Sequence, residues 1–130
     1  LRCLVGSEMC IRDSDEVVPF VNENNWRTNA FFCAWTAYQT MNGMEVSSRP
    51  DFSKDATFGM ALKDREVIST NKRVTMEAGV LYKGDIPLIK VVAVNDYGHW
   101  NFKPDARLMW DFMKQFSRDP RTKKLVYGKR

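Results

Sequence analysis

Apolar residues recur at helical spacing in the first half of the chain. After Asn24 and Asn25, which are good helix N-caps, apolar side chains follow one another at intervals of three and four residues. Asn42-Gly43 suits the end of a helix, because both residue types tolerate the backbone conformation found there. The spacing therefore predicts a helix over residues 26–41, whose apolar face is Ala30, Cys33, Ala34, Ala37, Tyr38 and Met41.

A second helical period lies near the end of the chain. Pro104 suits the first turn of a helix, and Asp105 complements the partial positive charge at that end. Asp119-Pro120 cannot continue a helix, so we predict that this one covers residues 105–117. Its predicted apolar face is Leu108, Met109, Phe112, Met113 and Phe116.

Between the two helices the pattern changes to the alternation that is typical of β-strands. Residues 74–80 alternate between apolar and polar or small side chains, and residues 88–94 form a more continuous apolar run. A Lys-Gly-Asp turn signal centred on Gly84 separates them, so the two strands are predicted to form a hairpin. Residues 44–71 show no clear period and are predicted to be irregular.

Composition limits the class of protein. The chain has 130 residues, of which 44% are hydrophobic and 12% aromatic, enough for the core of one domain. No stretch approaches the roughly 20 apolar residues that a membrane-spanning helix needs, so no membrane partner is expected. The three cysteines form no Cys-x-x-Cys pair or Cys/His cluster, and neither a metal nor a cofactor is expected. Cys33 lies among apolar residues, which predicts a buried free thiol.

The positive charge is concentrated at the end of the chain. The net charge is +4, and residues 118–130 hold six basic residues and one acidic residue, whereas the rest of the chain is nearly neutral. We predict that residues 121–130 form a solvated basic tail. A nucleic-acid contact would require basic residues on a folded face, interleaved with aromatic side chains, and no nucleic-acid partner is expected.

The first fourteen residues differ from the rest. They have neither the apolar core of a signal peptide nor an amphipathic period, and they resemble a translated sequencing-adaptor segment. Residues 1–14 are therefore interpreted as a non-native artefact. The natural sequence would then begin near Asp15, in a short acidic-then-apolar segment over residues 15–20 that is predicted to be the end of a strand and its loop.

His99 is the only histidine, and it follows the predicted strand 88–94. Many α/β enzymes place an imidazole at the carboxyl end of a strand to move protons. Its candidate partner is Asp15, 84 residues upstream, because a carboxylate can hold an imidazole in one tautomer. Asp13 and Asp96 compete for that role, although Asp96 also suits a turn.

Three segments together carry a resemblance to a known family. They are Asp15-x-x-Val18-Pro19, Gly98-His99-Trp100 and the predicted closing helix. In this order they resemble the C-terminal end of α/β-hydrolases, within the esterase group of polyhydroxybutyrate depolymerases, feruloyl esterases and acetylxylan esterases. The resemblance implies an α/β fold over residues 15–120, made of a truncated sheet with a hairpin and two flanking helices.

The resemblance also implies a function. Asp15 would be the acid and His99 the base of a Ser-His-Asp triad, in an exported parent that cleaves small-molecule or polysaccharide-linked carboxylic esters. No Gly-x-Ser-x-Gly nucleophile motif occurs in the sequence, so the chain alone is expected to be inactive. Two alternatives remain: a peptidase of the same fold, and a non-catalytic carbohydrate- or partner-binding module that uses exposed aromatics. Three tryptophans, however, are predicted to pack in the core: Trp26, Trp35 and Trp110.

Overall fold

A computed structural model describes residues 7–12, 24, 26–69, 74–95 and 103–128. Within these residues, helices and strands are mixed, which confirms the predicted combination of α and β structure. The elements in chain order are β1 (Ser7–Arg12), α1 (Ala30–Met41), β2 (Lys63–Ser69), β3 (Thr75–Lys83), β4 (Ile86–Asn95), α2 (Lys103–Met113), β5 (Phe116–Arg118) and β6 (Leu125–Tyr127).

Four strands form one sheet in the order β1-β4-β3-β2. β3 and β4 are antiparallel and are joined at Gly84, whose φ of 58° belongs to the left-handed region that glycine adopts at little cost. This is the predicted hairpin, and it is confirmed. β1 lies on the other side of β4 and runs parallel to it. β1 also lies within residues 1–14, whose interpretation as an artefact stays a prediction.

β2 was not predicted, because residues 44–71 were expected to be irregular. It pairs with β3 at the edge of the sheet, and most of its side chains are exposed, including Val67 at 73%. A bulge between Lys63 and Glu66 shifts the register. An exposed strand with a bulge needs no apolar alternation, so its sequence carries no period-2 signal.

The two faces of the sheet are covered by different helices. On one face, side chains of β4 pack with Phe31, Phe32 and Trp35 of α1. On the other face, Leu108 of α2 packs against a second cluster. That second cluster consists of Val74, Met76, Ala78, Val92 and Val94. β4 is therefore buried on both sides, which explains its continuous apolar run.

Helix α1 begins later than predicted and buries a different face. Its N-cap is Asn29, whose Oδ1 accepts a hydrogen bond of 3.1 Å from the N–H of Phe32, so the helix starts at residue 30 and not at 26. Cys33 is exposed, and the prediction of a buried thiol was wrong. Apolar residues occur on every side of α1. Its large aromatic side chains, Phe31, Phe32 and Trp35, face the core because their burial removes the most apolar surface from water.

The end of the chain also differs from the prediction. α2 ends at Met113 rather than continuing to residue 117, and Phe116 lies in β5. The predicted tail contains β6, which pairs with β5, although its described basic side chains are exposed as expected.

Of the tryptophans, Trp35 is fully buried as predicted, Trp26 is partly buried against the core, and Trp110 is 64% exposed, contrary to the prediction. No helix of the described ranges has the length and apolar character required to cross a membrane.

Gly79 allows the segment before β2 to pack closely on β3. A Cβ atom at this position would lie 2.6 Å from Cβ of Leu62. We expect Gly79→Ala to lower the free energy of unfolding by about 1–3 kcal/mol, the usual cost of overpacking a filled site. Gly128→Ala is the control, because a Cβ there has no atom within 4 Å. Chemical denaturation measures both, and equal midpoints would contradict this account.

Candidate functional site

The chain continues toward both predicted site residues from one edge of the sheet, where β1 and β4 end. His99 and Asp15, the predicted base and acid, are outside the residues that the structure describes. The strands that lead to them are described. β1 ends at Arg12, three residues before Asp15, and β4 ends at Asn95, four residues before His99. Because the two strands are parallel neighbours, their carboxyl ends share one edge of the sheet.

The register of β1 and β4 shows that the two strands end at the same level of the sheet. Arg12 is the partner of Val94, so both strands end within about one residue of each other. Asp13 and Asp96 directly follow the same strand ends, and the geometry does not remove them as alternatives.

The described residues next to this edge of the sheet form a buried apolar layer. Asn95 at the end of β4 is the register partner of Thr75 at the start of β3, and its Nδ2 lies 3.4 Å from the hydroxyl of Thr75. Beneath this polar pair, Val92, Val94 and Met76 are almost completely buried. A polar pair next to buried apolar side chains suits a site of low dielectric, in which a carboxylate and an imidazole interact more strongly than in water.

A second group of titratable residues connects the irregular segment to the sheet. The guanidinium of Arg65 bonds Asp55 at 2.8 Å, contacts the carboxylate of Glu77, and lies 4.7 Å above the ring of Phe58. Glu77 in turn accepts a hydrogen bond of 2.5 Å from Thr57. Each charge in this group has a partner of opposite sign, so its role is to hold the segment in place. Within the described ranges, no group of three or more His, Cys, Asp or Glu residues could hold a metal ion.

A third group surrounds a small pocket of about 250 Å³ between the sheet and the C-terminal hairpin. Asp64 lies at the bulge of β2 with a φ of 49°, and its carboxylate accepts a hydrogen bond from the hydroxyl of Tyr82. Beside it, Lys90 bonds Glu66 at 2.6 Å. These pairs were not predicted, because the sequence of the exposed edge strand has no apolar period from which facing residues could be inferred.

A larger groove of about 590 Å³ lies between the end of α1, the following segment and the end of β3. Its wall is fixed by the buried amide of Gln39, which donates to the hydroxyl of Ser47 at 2.8 Å and accepts from its N–H at 2.9 Å. Leu81 and Lys83 line this groove, whereas Thr75 lies at the opposite end of β3. The groove is therefore at the far edge of the sheet from the candidate site.

The contact between Asp64 and Tyr82 has a measurable consequence. The hydrogen bond from its hydroxyl to Asp64 raises the pKa of Tyr82 from its ordinary 10.0 to about 12. Because the folded-state pKa is raised, this contact stabilises the fold in full below about pH 10, and the contribution is lost as the pH rises toward about 12. We expect Asp64→Asn to lower the pKa of Tyr82, as followed by phenolate absorbance.

Tyr82→Phe is the control for this titration. It removes the phenol that ionises at the highest pH, and so shows which part of the absorbance change of the four tyrosines belongs to Tyr82. An unchanged titration curve in Asp64→Asn would show that the carboxylate does not control Tyr82.

No protein-family model matches the chain, and neither a curated protein nor a solved structure shows a significant match. A functional conclusion therefore depends on the residues and the strand arrangement described above.

Proposed function

We propose that this chain is the C-terminal part of a serine esterase of the α/β-hydrolase type. The proposal treats β1 as a native strand and therefore sets aside the interpretation of residues 1–14 as an artefact. One observation carries it: β1 and β4 are parallel neighbours, and Asp15 and His99 follow their carboxyl ends within a few residues. In α/β sheets, ligands bind beyond the carboxyl ends of the strands. This order of an acid and a base after two adjacent parallel strands supports their assignment to one hydrolytic triad.

In the proposed reaction, His99 takes the proton of a serine hydroxyl as the oxygen attacks the ester carbonyl. The imidazolium then gives this proton to the departing alcohol, which leaves an acyl-enzyme. Water attacks the acyl-enzyme while His99 again accepts a proton, and the carboxylic acid is released. Asp15 keeps the imidazole in the correct tautomer and stabilises its positive charge. This chemistry requires no metal or cofactor.

The proposal assigns the serine and the oxyanion hole to a preceding part of the parent protein. The 130 residues contain no Gly-x-Ser-x-Gly sequence, and the strained turn formed by that motif is what exposes the nucleophile in this fold. Coverage of the sheet by α1 on one face and α2 on the other supports an α/β interpretation of the parallel pair β1 and β4, whereas β3 and β2 are antiparallel.

A second function has its own supporting observation. Trp110 on α2 is 64% exposed, and the preceding residue, Met109, is 37% exposed. An exposed tryptophan is a frequent centre of recognition sites, so a carbohydrate- or partner-binding module is the alternative. Binding through this surface would change the fluorescence of Trp110, and Trp110→Ala would remove binding without affecting His99.

The single histidine allows a direct test of the proposed pair. The imidazole of His99 gives one histidine signal in a proton NMR titration of the 130-residue chain. A neighbouring carboxylate stabilises the charged ring, so we expect Asp15→Asn to lower the titration midpoint of that signal by about one pH unit or more. The matched controls are Asp13→Asn and Asp96→Asn, which remove the same charge nearby. A large shift in a control and none in Asp15→Asn would reject Asp15 as the partner.

Activity of the parent protein tests the reaction class. In a parent that includes the upstream coding sequence, we expect His99→Asn to lower kcat/KM toward an aryl acetate by about 10³-fold or more, because the serine loses its base. Asp96→Asn serves as the control and should retain most of the activity. Near-normal turnover by His99→Asn, or an upstream sequence without a Gly-x-Ser-x-Gly motif, would refute the proposal.

A further inference from the structure

The pocket between the sheet and the C-terminal hairpin, which we call the Asp64 pocket, carries a negative charge. Residues of β2, β3, β4, α2 and β6 line its volume of about 250 Å³. Its charged lining residues are Asp64, Glu66 and Lys90. The ammonium of Lys90 bonds the carboxylate of Glu66 at 2.6 Å, so these two charges balance each other. The charge of Asp64 remains.

The carboxylate of Asp64 has a neutral partner and no cationic one. Its Oδ2 accepts a hydrogen bond from the hydroxyl of Tyr82. Among the described residues, no lysine or arginine forms a salt bridge with Asp64, and its Oδ1 accepts no hydrogen bond. One oxygen of a charged group is therefore open to a donor from outside the chain.

Two other lining residues also offer acceptor oxygens. Gln115 donates from Nε2 to the carbonyl of Asp111 at 2.9 Å, and its Oε1 accepts from no described residue. The hydroxyl of Tyr127 has no hydrogen-bond partner in the described ranges, although its ring packs on that of Phe116. Together with Oδ1 of Asp64, these atoms make three acceptors that lack a donor. A primary ammonium carries three N–H donors and a positive charge.

The aromatic rings of the pocket also favour a positive charge. Three aromatic residues line it: Tyr82, Phe112 and Tyr127. The face of an aromatic ring is partially negative and attracts ammonium groups. The ammonium of Lys63, 5.5 Å from the centroid of the Tyr82 ring, is an example within this protein. A metal ion is not favoured, because no group of three or more His, Cys, Asp or Glu residues in the described part of the chain could hold one.

We propose that the Asp64 pocket binds a small ligand through a primary alkylammonium group. Asp64 supplies the opposite charge, Gln115 and Tyr127 accept the remaining N–H groups, and the aromatic rings contact the alkyl part. An anion would meet the carboxylate of Asp64 and the negative faces of the rings. A quaternary ammonium would leave the three acceptors without donors. This binding site is separate from the proposed esterase chemistry and holds whether or not the parent hydrolyses esters.

The test measures binding of n-butylammonium to the 130-residue chain at pH 7 and low ionic strength, from saturable NMR shifts of the tyrosine ring protons. Asp64→Asn removes the charge, and asparagine tolerates the left-handed backbone at this position. The matched control is Asp85→Asn, which removes an exposed carboxylate from the turn between β3 and β4. We expect Asp64→Asn to weaken binding about tenfold or more and Asp85→Asn about twofold or less, because exposed charges act mainly at short range.

A second substitution separates binding from folding. Tyr127→Phe keeps the ring and removes one proposed acceptor, so we expect binding to weaken about threefold or more. Its thermal midpoint should change little, because the hydroxyl has no partner among the described residues. Tyr38→Phe is the control, since Tyr38 does not line this pocket, and it should leave binding unchanged. Weaker binding in an equally stable protein cannot be attributed to loss of the fold.

Four results would overturn the proposal. The first is the absence of a saturable shift with n-butylammonium. The second is equal weakening by Asp64→Asn and Asp85→Asn, which would show that only net charge matters. The third is binding of tetramethylammonium as tight as that of n-butylammonium, because this ion has no N–H donor. The fourth is equally tight binding of butyrate, which would show that the pocket does not select a positive charge.

Discussion

The burial of β4 on both faces is the constraint on which the rest of the fold depends. A strand that is covered on two sides needs one helix on each, and α1 and α2 fulfil this requirement. β4 also pairs with β1 on one side and β3 on the other, so it fixes both the parallel and the antiparallel part of the sheet. Its residues with no exposed surface are Ile89, Val91, Val92, Ala93 and Val94.

At Trp35 of α1, the free energy gained by burying the apolar ring exceeds the cost of an unpaired polar atom. Its Nε1 is buried and has no hydrogen-bond partner among the described residues, a situation that costs about 1–3 kcal/mol. Burying 150–250 Å² of an aromatic side chain contributes about 4–6 kcal/mol at 25 cal/mol per Å². The apolar contribution exceeds the polar cost. Phe31 and Phe32, which pack beside the indole ring, add to the same cluster.

The sequence predicted those elements whose signal is local. The hairpin of β3 and β4 has alternation, a continuous run and the Gly84 turn, and each of these depends only on neighbouring residues. The end of α2 was missed because Phe116 continues the spacing from Phe112, although it belongs to a strand. The parallel contact of β1 with β4 joins residues about 80 positions apart. No local pattern encodes such a contact, so the motifs suggested His99 as a site residue without predicting that β1 and β4 would be neighbours in the sheet.

Two charged surface residues adopt a left-handed backbone, and in each case the local hydrogen bonds explain it. Asp64 and Lys123 are the non-glycine residues with positive φ among the described positions, and this conformation costs about 1–2 kcal/mol at each. At Asp64 the strain is offset, because the conformation brings its carboxylate to the hydroxyl of Tyr82. At Lys123 the strain is offset as well, because its N–H donates to the carbonyl of Asp119 and its carbonyl accepts a hydrogen bond from the guanidinium of Arg118, each at 2.9 Å. These bonds close the turn between β5 and β6, so the left-handed conformation serves the fold at both residues.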